Sequence, residues 1–235
     1  MYDIVFLGEV LADYSKIGIS SSCISAADSQ LRPEMLDQDM LRNTRLFHTG
    51  SSFLAQELGQ SATYEAIDIA KDAGAIISYA PNYRAALWQT PAEAIRFLRS
   101  LIVTADIMKI SGEELPLLTG ETDPAKAADA LLDQGVRIVA ITLGADGTYV
   151  RVGKESRIVS GFCAATNDTI VAGDCFFGAF LAQLLSSGRT LKEIGIDDAA
   201  DYARFGNAAD PLCVGKRNGI PTMPGLNEIL DRMHS

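Results

Sequence analysis

Short apolar runs alternate along this chain with longer stretches of helical periodicity, and that alternation restricts the fold more than any other feature. Residues 4–7, 45–48, 75–79, 105–110, 136–142 and 148–152 read as strands. Between them, 60–73 carries Ala62, Ala66, Ile69, Ala70 and Ala73 at helical spacing, and Gly74 ends it. Pro91 opens a second helix in its first turn, 113–118 forms a short one closed by Gly120, and Asp123-Pro124 starts another that runs to Gly135. Helices over 174–187, 191–209 and 226–233 complete the list. Strands separated by helices of about 10–15 residues predict βαβ units, a mainly parallel sheet and right-handed crossovers. Neither an internal repeat nor a linker interrupts the pattern, so the sequence predicts one α/β domain over 1–235.

One segment departs from the ordinary amphipathic pattern. Residues 166–181 read Thr-Asn-Asp-Thr-Ile-Val-Ala-Gly-Asp-Cys-Phe-Phe-Gly-Ala-Phe-Leu. A turn of small residues ends at Asp174, and Phe176, Phe177, Phe180, Leu181, Leu184 and Leu185 then make the helix apolar nearly all round, which predicts a buried helix. The start of such a helix presents unpaired backbone N–H groups and the positive end of the dipole, a setting for an anion and for phosphate above all. A carboxylate placed there repels phosphate, unless its task is to take a proton from a hydroxyl that attacks the phosphorus. The plainer reading of Asp174 is a helix N-cap under an ordinary turn.

Composition narrows the partners. Apolar residues make up 48% of the chain, which excludes a disordered one. A net charge of −10 argues against nucleic acid or an anionic membrane surface as partner. Cys23, Cys163, Cys175 and Cys213 stand at no metal-like spacing, and two of them lie in apolar contexts that read as small buried hydrophobes. With His48 and His234 the only imidazoles, a His-rich metal centre is excluded and a Ser-His-Asp triad is disfavoured. The N-terminus carries no basic n-region, and no apolar run reaches the ~20 residues of a membrane span, so the expected location is cytoplasmic.

Residues 168–176, Asp-Thr-Ile-Val-Ala-Gly-Asp-Cys-Phe, resemble the Asp-Thr-Thr-Gly-Ala-Gly-Asp-x-Phe signature of the ribokinase-like (PfkB) carbohydrate kinases. The resemblance implies that Asp174 is the catalytic base and that the N–H groups of Val171, Ala172, Gly173 and Asp174 form an anion hole for the transferred phosphoryl group. It also places Asp168 and Thr169 where relatives bind a monovalent cation, K⁺. Further segments match in the same order. Leu7-Gly8-Glu9-Val10-Leu11-Ala12-Asp13 resembles the first strand of the family and makes Asp13 a ligand of sugar hydroxyls. Phe47-His48-Thr49-Gly50-Ser51 and the stretch from Ile76 through Pro81-Asn82-Tyr83-Arg84 to Trp88 look like the fructokinase branch, with Asn82 and Arg84 on the substrate side.

Lys109-Ile110-Ser111-Gly112-Glu113-Glu114 resembles the family's Asn-x-x-Glu region. Glu114 would then hold the hydration shell of Mg²⁺, a role suited to an ion that keeps most of its waters, with Lys109 on the cofactor side. Thr142, Gly144 and Gly147 match the Thr-Leu-Gly-x-x-Gly turn that lines the nucleotide site, and Asn207 falls on the adenine-side helix. The implied fold is the ribokinase-like three-layer sandwich, a mainly parallel β-sheet flanked by helices. The implied reaction is ATP- and Mg²⁺-dependent phosphorylation of a sugar hydroxyl, fructose before other small sugars.

The sequence departs from the pattern at Ile170, at Val171 in place of a glycine, and at Ala80 in place of an acid. Between residues 14 and 28 it is shorter than a typical relative, which predicts that the β lid and part of the sugar-binding segment are absent. Three alternatives therefore stay open: a kinase for 2-keto-3-deoxygluconate or another small sugar, a nucleoside kinase, and an inactive sugar- or nucleotide-binding relative. The resemblance also leaves a homodimer open.

Overall fold

The computed structural model describes residues 1–7, 31–162, 172–213 and 223–234, which fall into two compact units. The first comprises residues up to 136. It is built on four strands, β1 (Tyr2–Leu7), β2 (Thr44–Thr49), β3 (Ile76–Tyr79) and β4 (Ile107–Ser111), paired in parallel in that order. One row of the sheet runs Phe6, His48, Ser78, Ile107. Strands β2 to β4 are buried over most of their length, as parallel strands covered on both faces must be.

Helix α1 (Gln38–Arg42) packs on β1 and β2, and α2 (Glu57–Asp72) on β2 and β3. Ala62, Ala66, Ile67 and Ala70 make the buried stripe of α2, close to the periodicity read from the sequence. Caps fix the next helices. Thr90 accepts the Glu93 N–H at 3.2 Å to start α3 (Pro91–Ser100), and Asp123 accepts the Lys126 N–H at 2.9 Å to start α5 (Pro124–Leu132). Between them lies the short α4 (Leu115–Thr119), which Gly120 closes.

His48 lies wholly inside this unit. Its Nδ1 is 2.9 Å from Ser78 Oγ, and its ring meets Phe6 edge-on at 5.6 Å. Burial, aided by the nearby charge of Lys109, pushes the imidazole down from 6.5 to about 3. The neutral ring is therefore the folded form at any ordinary pH.

The second unit begins at residue 137 with a meander of three antiparallel strands, β5 (Ile138–Thr142), β6 (Thr148–Val152) and β7 (Glu155–Val159). Behind it stand α6 (Ala172–Ser186), α7 (Ile196–Cys213) and α8 (Leu226–Met233). Helix α7 packs on β6, β7, α6 and α8. Cys175 to Leu181 are buried without a break, as the apolar circumference of α6 predicted. Phe180 meets Tyr202 of α7 edge-to-face at 5.7 Å, and each such ring burial stabilises the fold by roughly 1.5–3 kcal/mol. Gly206 lets α7 approach α6 closely, since a Cβ there would lie 2.6 Å from the Phe176 ring.

The turn read between Gly144 and Gly147 joins neighbouring strands, and the connections from β5 to β6 and from β6 to β7 are too short for a crossover, so these three pair antiparallel. Two features differ from the sequence reading. Strand β7 was not anticipated; it is a charged, exposed edge with no apolar alternation to announce it. Two of the four cysteines read as small buried hydrophobes; Cys175 and Cys213 are buried but joined in a disulfide, a pairing across 38 residues that no local pattern encodes. Among the described residues no helix is long and apolar enough to cross a membrane.

Two outcomes follow from this packing. Gly206→Ala should cost about 1–3 kcal/mol by overpacking against Phe176, read as a lower urea midpoint at an unchanged m-value. His48 binds a proton more readily in the unfolded chain than in the fold. Stability should therefore fall as pH drops from about 6.5 toward 3, by up to about 1.4 kcal/mol per pH unit, and be fully present above that window. The stability difference between the wild type and His48→Gln, followed by urea titration across that range, should carry this slope; a flat difference would refute it.

Candidate active site

In the first unit the chemistry gathers where β3 and β4 end. The chain leaves β3 through Ala80 and Pro81 to Asn82, whose φ of 45° is the only positive value at a non-glycine among the described residues. Asparagine tolerates that left-handed conformation better than most residues. It directs its Oδ1 to 3.5 Å from Nζ of Lys109. Lys109 lies in β4 and is 5% exposed, and among the described residues no carboxylate approaches it within ion-pair distance. A buried ammonium with one long contact to a neutral oxygen is poorly compensated, and an incoming anion would improve its position.

Glu114 holds this loop in place. Its Oε1 accepts the Tyr83 N–H at 2.8 Å, while Oε2 accepts the Ser111 N–H at 2.8 Å and the Ser111 hydroxyl at 3.0 Å. A carboxylate has about four acceptor sites, so three are taken and one remains on Oε1. Its negative charge, after burial itself, helps to raise the pKa of Tyr79 well above the usual phenol value. The Tyr79 hydroxyl stays neutral and donates to the Leu98 carbonyl at 3.2 Å. A hard oxygen acceptor with one open site suits the water shell of Mg²⁺. No group of three His, Cys, Asp or Glu side chains gathers among the described residues to bind a metal directly. Arg84 follows on the exposed side of the same loop.

In the second unit two places carry predicted residues. The turn from β5 to β6 runs through Gly144 and Gly147, closed by the Leu143 N–H donating to the Gly147 carbonyl at 2.8 Å. Gly147 has φ 93°, and a Cβ on it would strike the Val159 carbonyl oxygen, so no other residue fits there. Thr142 opens this turn, half-buried. Asn207 on α7 fastens it: Oδ1 accepts the Thr148 hydroxyl at 2.7 Å, and Nδ2 donates to the carbonyls of Val159 and Ser160 at 3.0 and 3.1 Å.

The second place is the opening of α6. Ala172 begins the helix, and Gly173 and Asp174 are half-buried, whereas the next seven residues are fully buried. Asp174 therefore stands at the margin of the core, next to the helix-start N–H groups that lack intrahelical acceptors.

The structure thus brings Asn82, Lys109 and Glu114 together in one unit, and in the other groups Gly144, Gly147 and Asn207. Asp13, Asp168, Thr169 and Val171 lie outside the described residues. Sequence reasoning missed the partners that fix these side chains, Ser111 and Tyr83 for Glu114 and Thr148 for Asn207. For Ser111 a signal existed, because Ser-x-x-Glu is the spacing of a capping box.

Comparison with known proteins identifies the family. Residues 14–225 match the model of the pfkB family carbohydrate kinases. Fructokinase-2 of Solanum lycopersicum is 34% identical over 208 residues, which cover 87% of this chain and 62% of that protein. A double mutant of the fructokinase of Vibrio cholerae O395, solved in its fructose-, ADP- and potassium-bound form, superimposes with a TM-score of 0.74 at 28% identity. The match covers 80% of this chain and 60% of that one. The fructokinase of Xylella fastidiosa with bound ATP shares the fold, with a TM-score of 0.80 at 23% identity over 88% of this chain and 66% of that one. The chain spans about three fifths of the length of the curated relatives it matches. It belongs to the pfkB family of carbohydrate kinases, and its fold is the ribokinase-like α/β architecture.

Proposed function

We propose that this chain transfers the terminal phosphoryl group of ATP to a hydroxyl of a sugar, with fructose as the acceptor. The carrying observation is the placement of Asp174, held half-buried at the start of a helix that is otherwise core. Similarity to fructokinases of about one-third identity over most of the chain supports the choice of sugar. Asp174 accepts the proton of the attacking hydroxyl as that oxygen bonds to phosphorus, and the bond to ADP breaks. The N–H groups at residues 171–174 and the dipole of α6 stabilise negative charge on the phosphoryl oxygens.

Other residues have supporting parts in this reading. Lys109 offers its ammonium to a phosphate, and Asn82 orients it. Glu114 would hold the water shell of Mg²⁺ through its remaining acceptor site, and the ion would supply charge neutralisation of the phosphates. By the family resemblance Asp13, Asn82 and Arg84 would bind the sugar, and Asp168 with Thr169 would hold a K⁺ ion. Gly144, Gly147 and Asn207, with Thr142, shape the nucleotide side, where Asn207 acts by fixing the turn rather than by lending a free amide. We place part of the length missing relative to full-length relatives between residues 14 and 28, where the lid would be.

Ala80 favours a second reading, an inactive relative that binds nucleotide, because it is buried where the family segment carries an acid. Coupled ADP release with fructose and a panel of other sugars separates the two, since an inactive relative would bind ATP without turnover on any of them. Asp174→Asn should lower kcat by about 10²–10⁴-fold with little change in nucleotide affinity; unchanged turnover would remove Asp174 as the base. Glu114→Gln should raise the Mg²⁺ concentration for half-maximal rate and lower stability by about 1–3 kcal/mol, since an amide cannot accept every bond the carboxylate takes. A Mg²⁺ titration of the rate alongside urea denaturation measures both.

A further inference from the structure

The cross-link between Cys175 and Cys213 joins the first turn of α6 to the last turn of α7. Cys175 follows Asp174 directly. Both sulfurs sit in an apolar cluster with Ala179, Phe205, Ala208, Ala209 and Ile229, and their residues are 0% and 3% exposed. The Cα atoms are 6.8 Å apart, the outer end of the span that a bridge tolerates, so the two helix ends cannot separate further while it is intact.

The same surroundings also suit the two thiols. Cys175 Sγ is 3.3 Å from the Ala209 carbonyl oxygen, within reach of an S–H donor. Cys213 Sγ is 3.3 Å from Met223 Sδ, another soft apolar group. Neither cysteine therefore needs the bridge to be accommodated. Cys213 ends its helix just beyond Pro211, which brings no N–H to the turn before it, so this end opens more readily than the helix middle.

We propose that Cys175 and Cys213 form a reversible dithiol–disulfide pair that restrains the opening of α6 and slows the reaction when oxidised. The oxidant is a low-molecular-weight or protein disulfide. The Cys213 thiolate attacks one of its sulfurs, giving a mixed disulfide and releasing one thiol. The Cys175 thiolate then displaces the second thiol, so that two cysteines are oxidised, one external disulfide is reduced and both protons leave with the solvent and the released thiols. The bond itself is independent of the function proposed above; its effect on turnover rests on Asp174 acting from that helix start.

The test uses the whole chain equilibrated over a series of oxidised-to-reduced glutathione ratios, then alkylated, digested and mapped by mass spectrometry. A peptide linked through Cys175 and Cys213 should rise with the oxidised fraction and vanish with dithiothreitol. Fructose phosphorylation by the linked form should be about fivefold slower or more, recover on reduction, and be insensitive to glutathione ratio in Cys213→Ala. Absence of the linked peptide, its survival in excess dithiothreitol in the folded protein, or equal rates in the two forms overturns the proposal. If the reduced chain phosphorylates no sugar, the kinase reading fails, and amide exchange decides the switch. Slower exchange over residues 172–180 in the linked form supports it, and identical exchange sinks it.

Discussion

The carboxylate of Glu114 is the interaction on which the first unit's chemistry depends. Where β3 and β4 stop, the backbone must turn away from a buried parallel sheet, and its N–H groups lose their strand partners. Glu114 accepts from Tyr83 and twice from Ser111, thereby joining the two loop starts through a single buried charge. Its desolvation is offset by three short hydrogen bonds to a charged acceptor, the strong kind. With Tyr83 held, Asn82 is locked in its left-handed conformation, and its Oδ1 is held beside Lys109. Removing the carboxylate frees both loops at once.

The second unit solves the same problem with an amide. Asn207 ties a helix to a turn and to the end of β7, at Val159 and Ser160, by one accepted and two donated bonds. Gly147 makes the turn tight enough to be reached, because any side chain there would collide with the Val159 carbonyl. Polar groups buried on this scale must be satisfied to be tolerated, and a satisfied network specifies one geometry.

How much of this was legible depended on whether the signal was local. The all-round apolar α6 told its burial from sequence, since seven successive buried residues leave no face for water. The helix starts at Pro91 and at Asp123-Pro124 were similarly plain, though the cap at Thr90, one residue ahead of its proline, was not anticipated. The chain continued helical through Pro211 to Cys213, past the expected end at 209, because α6, α8 and the strands pack along α7 and outweigh one lost hydrogen bond. Strand β7 hid because its exposed Glu155 and Arg157 satisfy no apolar period. Likewise the bond from Thr148 to Asn207 spans 59 residues, and the Cys175–Cys213 pair 38; neither leaves a trace in local spacing.

A chain of net charge −10 with a buried ammonium suited to an anion appears contradictory until the distances are considered. Exposed charges are screened over about 8 Å at physiological ionic strength, so acid spread across the surface contributes little at a buried site. Lys109 is 5% exposed, and its field is screened far less. The Glu114 oxygens take backbone and hydroxyl donors rather than the ammonium. Among the described residues the ammonium is therefore left without an ion-pair partner, whatever the sign of the global charge. An oxyanion reaching Lys109 would relieve a desolvated charge that, among the described residues, meets one amide oxygen at 3.5 Å, a local effect rather than long-range attraction.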